Sequence, residues 1–302
     1  MLKTVLERYR QHGPIAALLM ATFLWGSSFL STGTALHYTD PFFLLAMRFG
    51  TGLLIVGAWL GKGCFHIPFH TWKAGLFSGT VLFFGYLTNA LGLMTISSSM
   101  SGFLMALYVP FTPLFIWIIF GKHPDSAAFI GVAIAFIGLI LLANPFTLSF
   151  SNNFGEWVTI LSAFISAMEI IIVGLVAVKN DPLPLTFAQL MTVFVLSSLS
   201  RMIGPLTPWW SFEPTVFTPT LLFTAVWLGM IVGFAQMLLT WGQRYVSAGR
   251  TALIFSMESV FAAILGWFVG EQLGWNGWLG GACIVGAILI SETKLLRWER
   301  KK

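Results

Sequence analysis

The second half of this chain repeats the first. Near the C-terminal end of each half the offset is 150 residues. Gly92 matches Gly242, Ser97 matches Ser247, Phe111 matches Phe261, Trp117 matches Trp267 and Gly131 matches Gly281, all without a gap. Earlier in each half the offset is 141: Phe23 matches Phe164, and Asp40-Pro41 matches Asp181-Pro182. The offsets differ by nine, so the second copy carries a nine-residue insertion, which the polar, Pro- and Trp-rich stretch 203–219 accommodates. Each copy holds five apolar runs. An odd number of crossings sends the second copy through a bilayer in the opposite direction to the first. Inverted repeats of that kind build one central site reachable from either side.

Charge supports a membrane setting. Only 9% of the 302 residues are charged and 57% are hydrophobic, whereas a soluble domain carries about 25% charged residues. In lipid every backbone polar group must be satisfied internally, which leaves helices or a closed barrel. The apolar runs are continuous over about 18–24 residues, the length of a helix through a hydrocarbon core of about 30 Å. Barrel strands would alternate polar and apolar side chains, and these runs do not. The expected fold is an all-α membrane protein of ten transmembrane helices, at about 15–36, 41–61, 72–94, 99–120, 127–144, 155–178, 184–202, 220–243, 249–270 and 275–294. Residues 1–150 form the first five-helix repeat, and 151–302 the second, inverted one with a basic tail. Turn signals separate the runs: Asp40-Pro41, Pro68, Pro124-Asp125, Asn144-Pro145, Asp181-Pro182, Pro205 to Pro219, and Trp275-Asn276-Gly277. The long first run lacks a small-residue cleavage site and reads as a retained crossing rather than a signal peptide.

Basic residues set an orientation. With the N-terminus inside, 14 of the 16 Lys and Arg residues fall on the cytoplasmic side; Arg201 is outside and Arg48 lies within a helix. Both termini are then cytoplasmic, in a cell inner membrane. The pI of 9.4 follows from this asymmetry and needs no nucleic-acid partner. The tail 294–302 suits an anionic lipid surface. Cys64 and Cys283 lie on different segments without metal-type spacing. There is no phosphate loop, paired Cys/His motif or nucleophile elbow. That absence argues against an ATP-driven pump, no cofactor is expected, and energy for uphill movement would have to come from a gradient or an exchange partner.

Ionisable residues inside membrane helices are costly and mark functional sites. Three are present. Glu169 lies in the sixth helix with Ser162 and Ser166 on its face, Glu258 lies in the ninth with Thr251 at i−7, and Arg48 lies in the second. The repeat groups them with further polar residues. Tyr108 is the mate of Glu258, Ser28 of Glu169, Tyr86 of Gln236, and Arg48 of Gln189. Mates in inverted copies share depth, so these eight side chains converge on one volume, with Trp25 as a candidate aromatic wall. The plainer readings are that Glu169 pairs with Arg48, that Glu258 and Arg48 are structural, and that Trp25 and Tyr108 are packing. Pro110 and Pro113 are expected to kink the fourth helix. The small residues Gly26, Gly50, Gly85, Gly92, Gly229, Gly233, Gly280, Gly281 and Gly286 read as close helix packing.

Several motifs resemble the drug/metabolite transporter superfamily, specifically its EamA-type exporters. They are Trp25-Gly26-Ser27-Ser28-Phe29 in the first helix, Arg48 in the second, the Gly92–Ser101 turn into the fourth, and Gly270-Glu271 after the ninth. Gly121-Lys122 replaces a Gly-Glu pair, Glu258-Ser259 replaces Glu-Pro, and Arg250 stands where a small residue is common. The resemblance implies export or exchange of small metabolites, amino acids among them, through a cavity lined by helices 1–4 and 6–9. Two acids at mid-membrane favour an amine-bearing or cationic substrate, a proton, or both in competition. The expected function is a non-enzymatic secondary transporter working by alternating access. The alternatives are an exchanger of a nucleoside-like metabolite such as S-adenosylmethionine, or an integral membrane enzyme.

Overall fold

The computed structural model describes residues 2–121, 126–143, 153–203, 214–268, 270 and 274–299. The turns at Pro124-Asp125 and Asn144-Pro145, Lys122, Glu271, the insertion over 204–213 and the last three residues of the basic tail lie outside the described residues. Among those described there are α-helices and one 3-10 turn, and no strand. The first half holds α1 (Leu2–Gly26), α2 (Phe29–Leu36), α3 (Pro41–Leu60), α4 (Phe69–Leu93), α5 (Ser98–Met105), α6 (Tyr108–Phe120) and α7 (Ser126–Ala143). The second half holds α8 (Phe154–Ala177), α9 (Pro182–Ile203), α10 (Pro219–Gln243), α11 (Ala248–Phe255), α12 (Met257–Phe268) and α13 (Trp275–Glu299).

Seven helical segments are long and apolar enough to cross a membrane, and three shorter ones are apolar: His12–Gly26, Phe129–Ala143 and Trp275–Ile290. The protein is therefore a multi-pass membrane protein. Its outer face carries exposed Leu54, Phe77, Phe223 and Phe268, which lipid covers without cost.

The turn signals act as helix starts. The Asp40 carboxylate accepts the Phe43 backbone N–H at 3.0 Å, with Pro41 in the first turn. Asn153 and Glu156 form a reciprocal capping box on α8, and Thr218 caps α10 ahead of Pro219. Each satisfies N–H groups that a helix start leaves free.

The packing has the exchange symmetry that a repeat requires. α4 packs on α8 as α10 packs on α1; α4 packs on α9 as α10 packs on α3; α3 meets its mate α9, and α7 its mate α13. The last pair meets backbone to backbone: a Cβ on Gly280 would stand 2.5 Å from the Gly138 carbonyl oxygen, and one on Gly138 would stand 2.7 Å from that of Gly280. Gly286 differs from its expected role, since no atom lies within 4 Å of where its Cβ would be.

Three helices expected to be continuous are divided near their middles: 15–36 between α1 and α2, 99–120 between α5 and α6, and 249–270 between α11 and α12. In the second case the cause is Pro110. It has no N–H for the Ala106 carbonyl four residues back, and its ring crowds that oxygen. The Val109 N–H takes it over at 3.1 Å, tightening the turn. The other two breaks lack a proline. There, Ser hydroxyls draw off helical carbonyls: Ser27 donates to Leu24 O at 2.6 Å, Ser28 to Trp25 O at 2.8 Å, and Ser256 to Leu253 O at 2.6 Å. The break at Ser256 also removes the expected shared stripe of Thr251 and Glu258. Pro113 lies inside α6.

Ion pairs tie loops together at the two ends. Arg201 Nε lies 2.7 Å from Asp40 Oδ2, whose side chain is fully buried. Arg244 donates to Asp181 at 3.3 Å, where the carboxylate is 79% exposed. Asp40 and Asp181 are repeat mates in different surroundings. Asp40→Ala removes a cap and strands a partner, so it should cost about 2–3 kcal/mol of stability. Asp181→Ala should cost less than about 1 kcal/mol. Thermal unfolding of the two variants in detergent checks this, and equal losses would contradict it.

Candidate functional site

The three helix breaks open onto one cavity. The space within it open to water centres is about 110 Å³, several times the roughly 10–15 Å³ that admits a single water. Ser28 immediately precedes α2, Tyr108 begins α6 and Glu258 stands in the first turn of α12, and all three side chains line the cavity. Starting a helix there is not incidental. A helix N-terminus carries a partial positive charge, which steadies the Glu258 carboxylate in an apolar setting.

Seven of the nine residues singled out in the sequence border this volume: Trp25, Ser28, Arg48, Tyr86, Tyr108, Glu169 and Glu258. The Tyr108 hydroxyl is 3.0 Å from the Phe255 carbonyl oxygen and 3.4 Å from Glu258 Oε2, donating across the α11–α12 break. The Trp25 indole meets Phe255 edge-on, with ring centroids 5.3 Å apart. Arg48 is 4% exposed. Its guanidinium lies 4.7 Å from the centre of the Tyr86 ring, a cation–π contact. Among the described residues Arg48 forms no ion pair within 4.0 Å, with Glu169 or any other acid, and its Nε has no hydrogen-bond partner.

Gln189 and Gln236 do not line the cavity. They stand behind Glu169, where Gln236 Nε2 is 3.4 Å from both Glu169 Oε1 and Gln189 Oε1. The repeat relation fixes depth but not the direction in which a side chain points, so this pair lies off the cavity lining. Asn89, Thr32 and Met105 line the cavity and were missed. Asn89 had a signal: it is an amide in an apolar helix, three residues after Tyr86 and so on its face. Of the serine stripe on α8, Ser166 lines the cavity, while Ser162 donates to the Gly85 carbonyl at 2.8 Å and binds α8 to α4. Among the described residues there is no group of three or more His, Cys, Asp or Glu side chains placed to hold a metal ion.

Comparison with known proteins agrees with this architecture. An uncharacterized transporter of Archaeoglobus fulgidus is 28% identical over 249 residues, covering 81% of this chain and 74% of that one. A second uncharacterized transporter of the same organism is 24% identical over 215 residues, covering 69% and 73%. One crystal structure superposes with a TM-score of 0.76 at 19% identity, covering 93% of this chain and 96% of the other, so the two share a fold. The EamA-like transporter family matches residues 13–144 and, separately, 153–293. With both halves matched, the chain belongs to the EamA-like transporter family.

Proposed function

We propose that the chain is a secondary transporter that exports or exchanges small amine-bearing or amino-acid-like metabolites by alternating access at the cavity between its halves. In this reading it crosses a cell inner membrane ten times, as inverted five-helix repeats 1–150 and 151–302. The observation that carries the proposal is the content of the cavity: two half-buried carboxyl groups and one buried guanidinium, on different helices, around a space large enough for a small solute. Such groups are tolerated at that depth only where a partner, water or ligand meets them. A substrate amine or a proton at Glu169 or Glu258 would supply that partner. A proton taken up from one side and released to the other couples transport to a pH gradient. The aromatic walls at Trp25, Tyr86 and Tyr108 suit a cation or an apolar side chain.

The test is a panel of labelled amines and amino acids offered to proteoliposomes with and without a pH gradient. Saturable uptake that rises with the gradient supports the reading. No uptake of any panel member, with folded protein in the membrane, counts against it. Orientation is tested separately. The 14 basic residues on one side lead us to expect that a reporter fused after Lys302, active only in the periplasm, stays silent. Periplasmic activity would reverse the topology.

A further inference from the structure

The three charged groups of the cavity are not equally matched. Each acid has a neutral hydrogen-bond donor beside it. Gln236 Nε2 is 3.4 Å from Glu169 Oε1, and the Tyr108 hydroxyl is 3.4 Å from Glu258 Oε2. Arg48 has no such neighbour. It comes from the apolar helix α3, is 4% exposed, and lines the cavity. A guanidinium carries five N–H donors and accepts nothing. Its Nε is buried with no hydrogen-bond partner. Among the described residues no carboxylate lies within 4.0 Å of it. The Tyr86 ring meets the charge, with its centre 4.7 Å from Cζ, but a π face offers no lone pair. A buried cation without a counter-charge is costly. The counter-charge has to come from the solution that fills the cavity.

We propose that Arg48 is the anchor for a carboxylate carried by the substrate. The terminal NH2 groups of a guanidinium form a planar fork that fits both oxygens of a carboxylate. The lining holds one guanidinium and no other Lys or Arg, so it matches one carboxylate. The repeat mate of Arg48 supplies no second anchor, because Gln189 lies off the lining and donates to Ser78 Oγ at 2.9 Å. A phosphate dianion would bring two negative charges towards Glu169 and Glu258, and like charges brought together repel.

Two acids and one base on the walls are the complement of a molecule with one ammonium and one carboxylate. The carboxylate sits at Arg48 of α3, and the amine at Glu169 of α8 or Glu258 of α12. The substrate is then a zwitterionic amino acid and not a simple amine. Trp25, Leu82, Met105, Ile170 and Phe255 leave an apolar wall for its side chain. As a statement about substrate this rests on the transporter reading; as a statement about a bound ligand it does not. A purely structural Arg48 would behave differently: its removal would cost stability and leave ligand preference untouched.

The test is ligand binding by the full-length protein in detergent, at fixed pH and ionic strength, read as the rise of the thermal unfolding midpoint with ligand concentration. The probes are the twenty standard amino acids and, for each that binds, its methyl ester and its decarboxylated amine. Ester and amine should each bind about tenfold or more weaker than the parent acid. Arg48→Gln should weaken the acid to the level of its ester, leave the ester as in wild type, and not lower the ligand-free midpoint. Arg48→Lys keeps the charge without the fork and should fall between. Equal affinity for acid and ester in the wild-type protein overturns the proposal without recourse to any variant. Unchanged acid binding in Arg48→Gln overturns it as well. If none of the twenty binds, water alone serves Arg48 and the proposal falls. Amines bound as tightly as their parent acids remove the carboxylate anchor and leave amine transport standing. Acid binding that depends on Arg48, with no uptake in proteoliposomes, keeps the anchor and removes the transport reading.

Discussion

Glu169→Gln should abolish uphill transport, bringing the accumulation ratio of a transported substrate to about 1, because an unchanged affinity for the driving species on both sides shifts no equilibrium. The substitution keeps the shape of the side chain and an acceptor for Gln236 Nε2, now 3.4 Å away, so the helices around it have no reason to move. What goes is the negative charge, and with it the attraction for a proton or an amine. Counterflow of substrate down its own gradient should survive if Glu169 takes the proton, and should be lost with uphill transport if it takes the substrate amine. The checks are concentrative uptake and counterflow in proteoliposomes, alongside the yield of monodisperse protein. Wild-type accumulation by the variant would make Glu169 a packing residue.

The largest effect on folding is expected at the α7–α13 contact. In Gly280→Leu the new Cβ would meet the Gly138 carbonyl oxygen at 2.5 Å and the Leu142 backbone nitrogen at 2.6 Å. Both obstacles are backbone, so no side-chain rotation relieves them and the two helices must separate. Overpacking of a flexible site costs about 1–3 kcal/mol. A displaced helix pair in a membrane, where small residues at the seam supply much of the association, should lose about 3 kcal/mol or more. Gly286→Leu on the same helix meets nothing within 4 Å and should stay within about 0.5 kcal/mol of wild type. Monodisperse yield and unfolding midpoint report both variants. A well-folded Gly280→Leu protein would mean that the contact is looser than its geometry implies.

Much of this was legible in the sequence, for identifiable reasons. Helix length is dictated by bilayer thickness, so unbroken apolar runs located α3, α4, α8, α9 and α10 to within a few residues of their ends. Asp40-Pro41 and Thr218-Pro219 place a cap and a donor-free residue where a helix must begin. The acids and Arg48 converged on one cavity because an apolar medium penalises ionisable groups wherever they are not met by protein or water. Of the helix breaks, the one in the fourth helix follows from Pro110, which leaves the Ala106 carbonyl four residues back without its donor; the other two carry no proline. The break at Ser256 carries no signal of its own, since serine in a helix as often bonds backward without interrupting it. The places of Gln189 and Gln236 depended on rotation about the helix axis, and repeat offsets carry no information on that.

The divided helices have a mechanical meaning. A continuous helix is a stiff rod: tilting one end swings the other. The rods α1–α2, α5–α6 and α11–α12 are jointed beside the cavity, at Ser28, at Ala106-Leu107 and at Ser256. Each is two short rods meeting beside the cavity, while α3, α4, α8, α9 and α10 run unbroken. The α1–α2 joint has no counterpart in its repeat mate α8, which runs straight past Glu169. The two halves are therefore jointed unequally around the cavity.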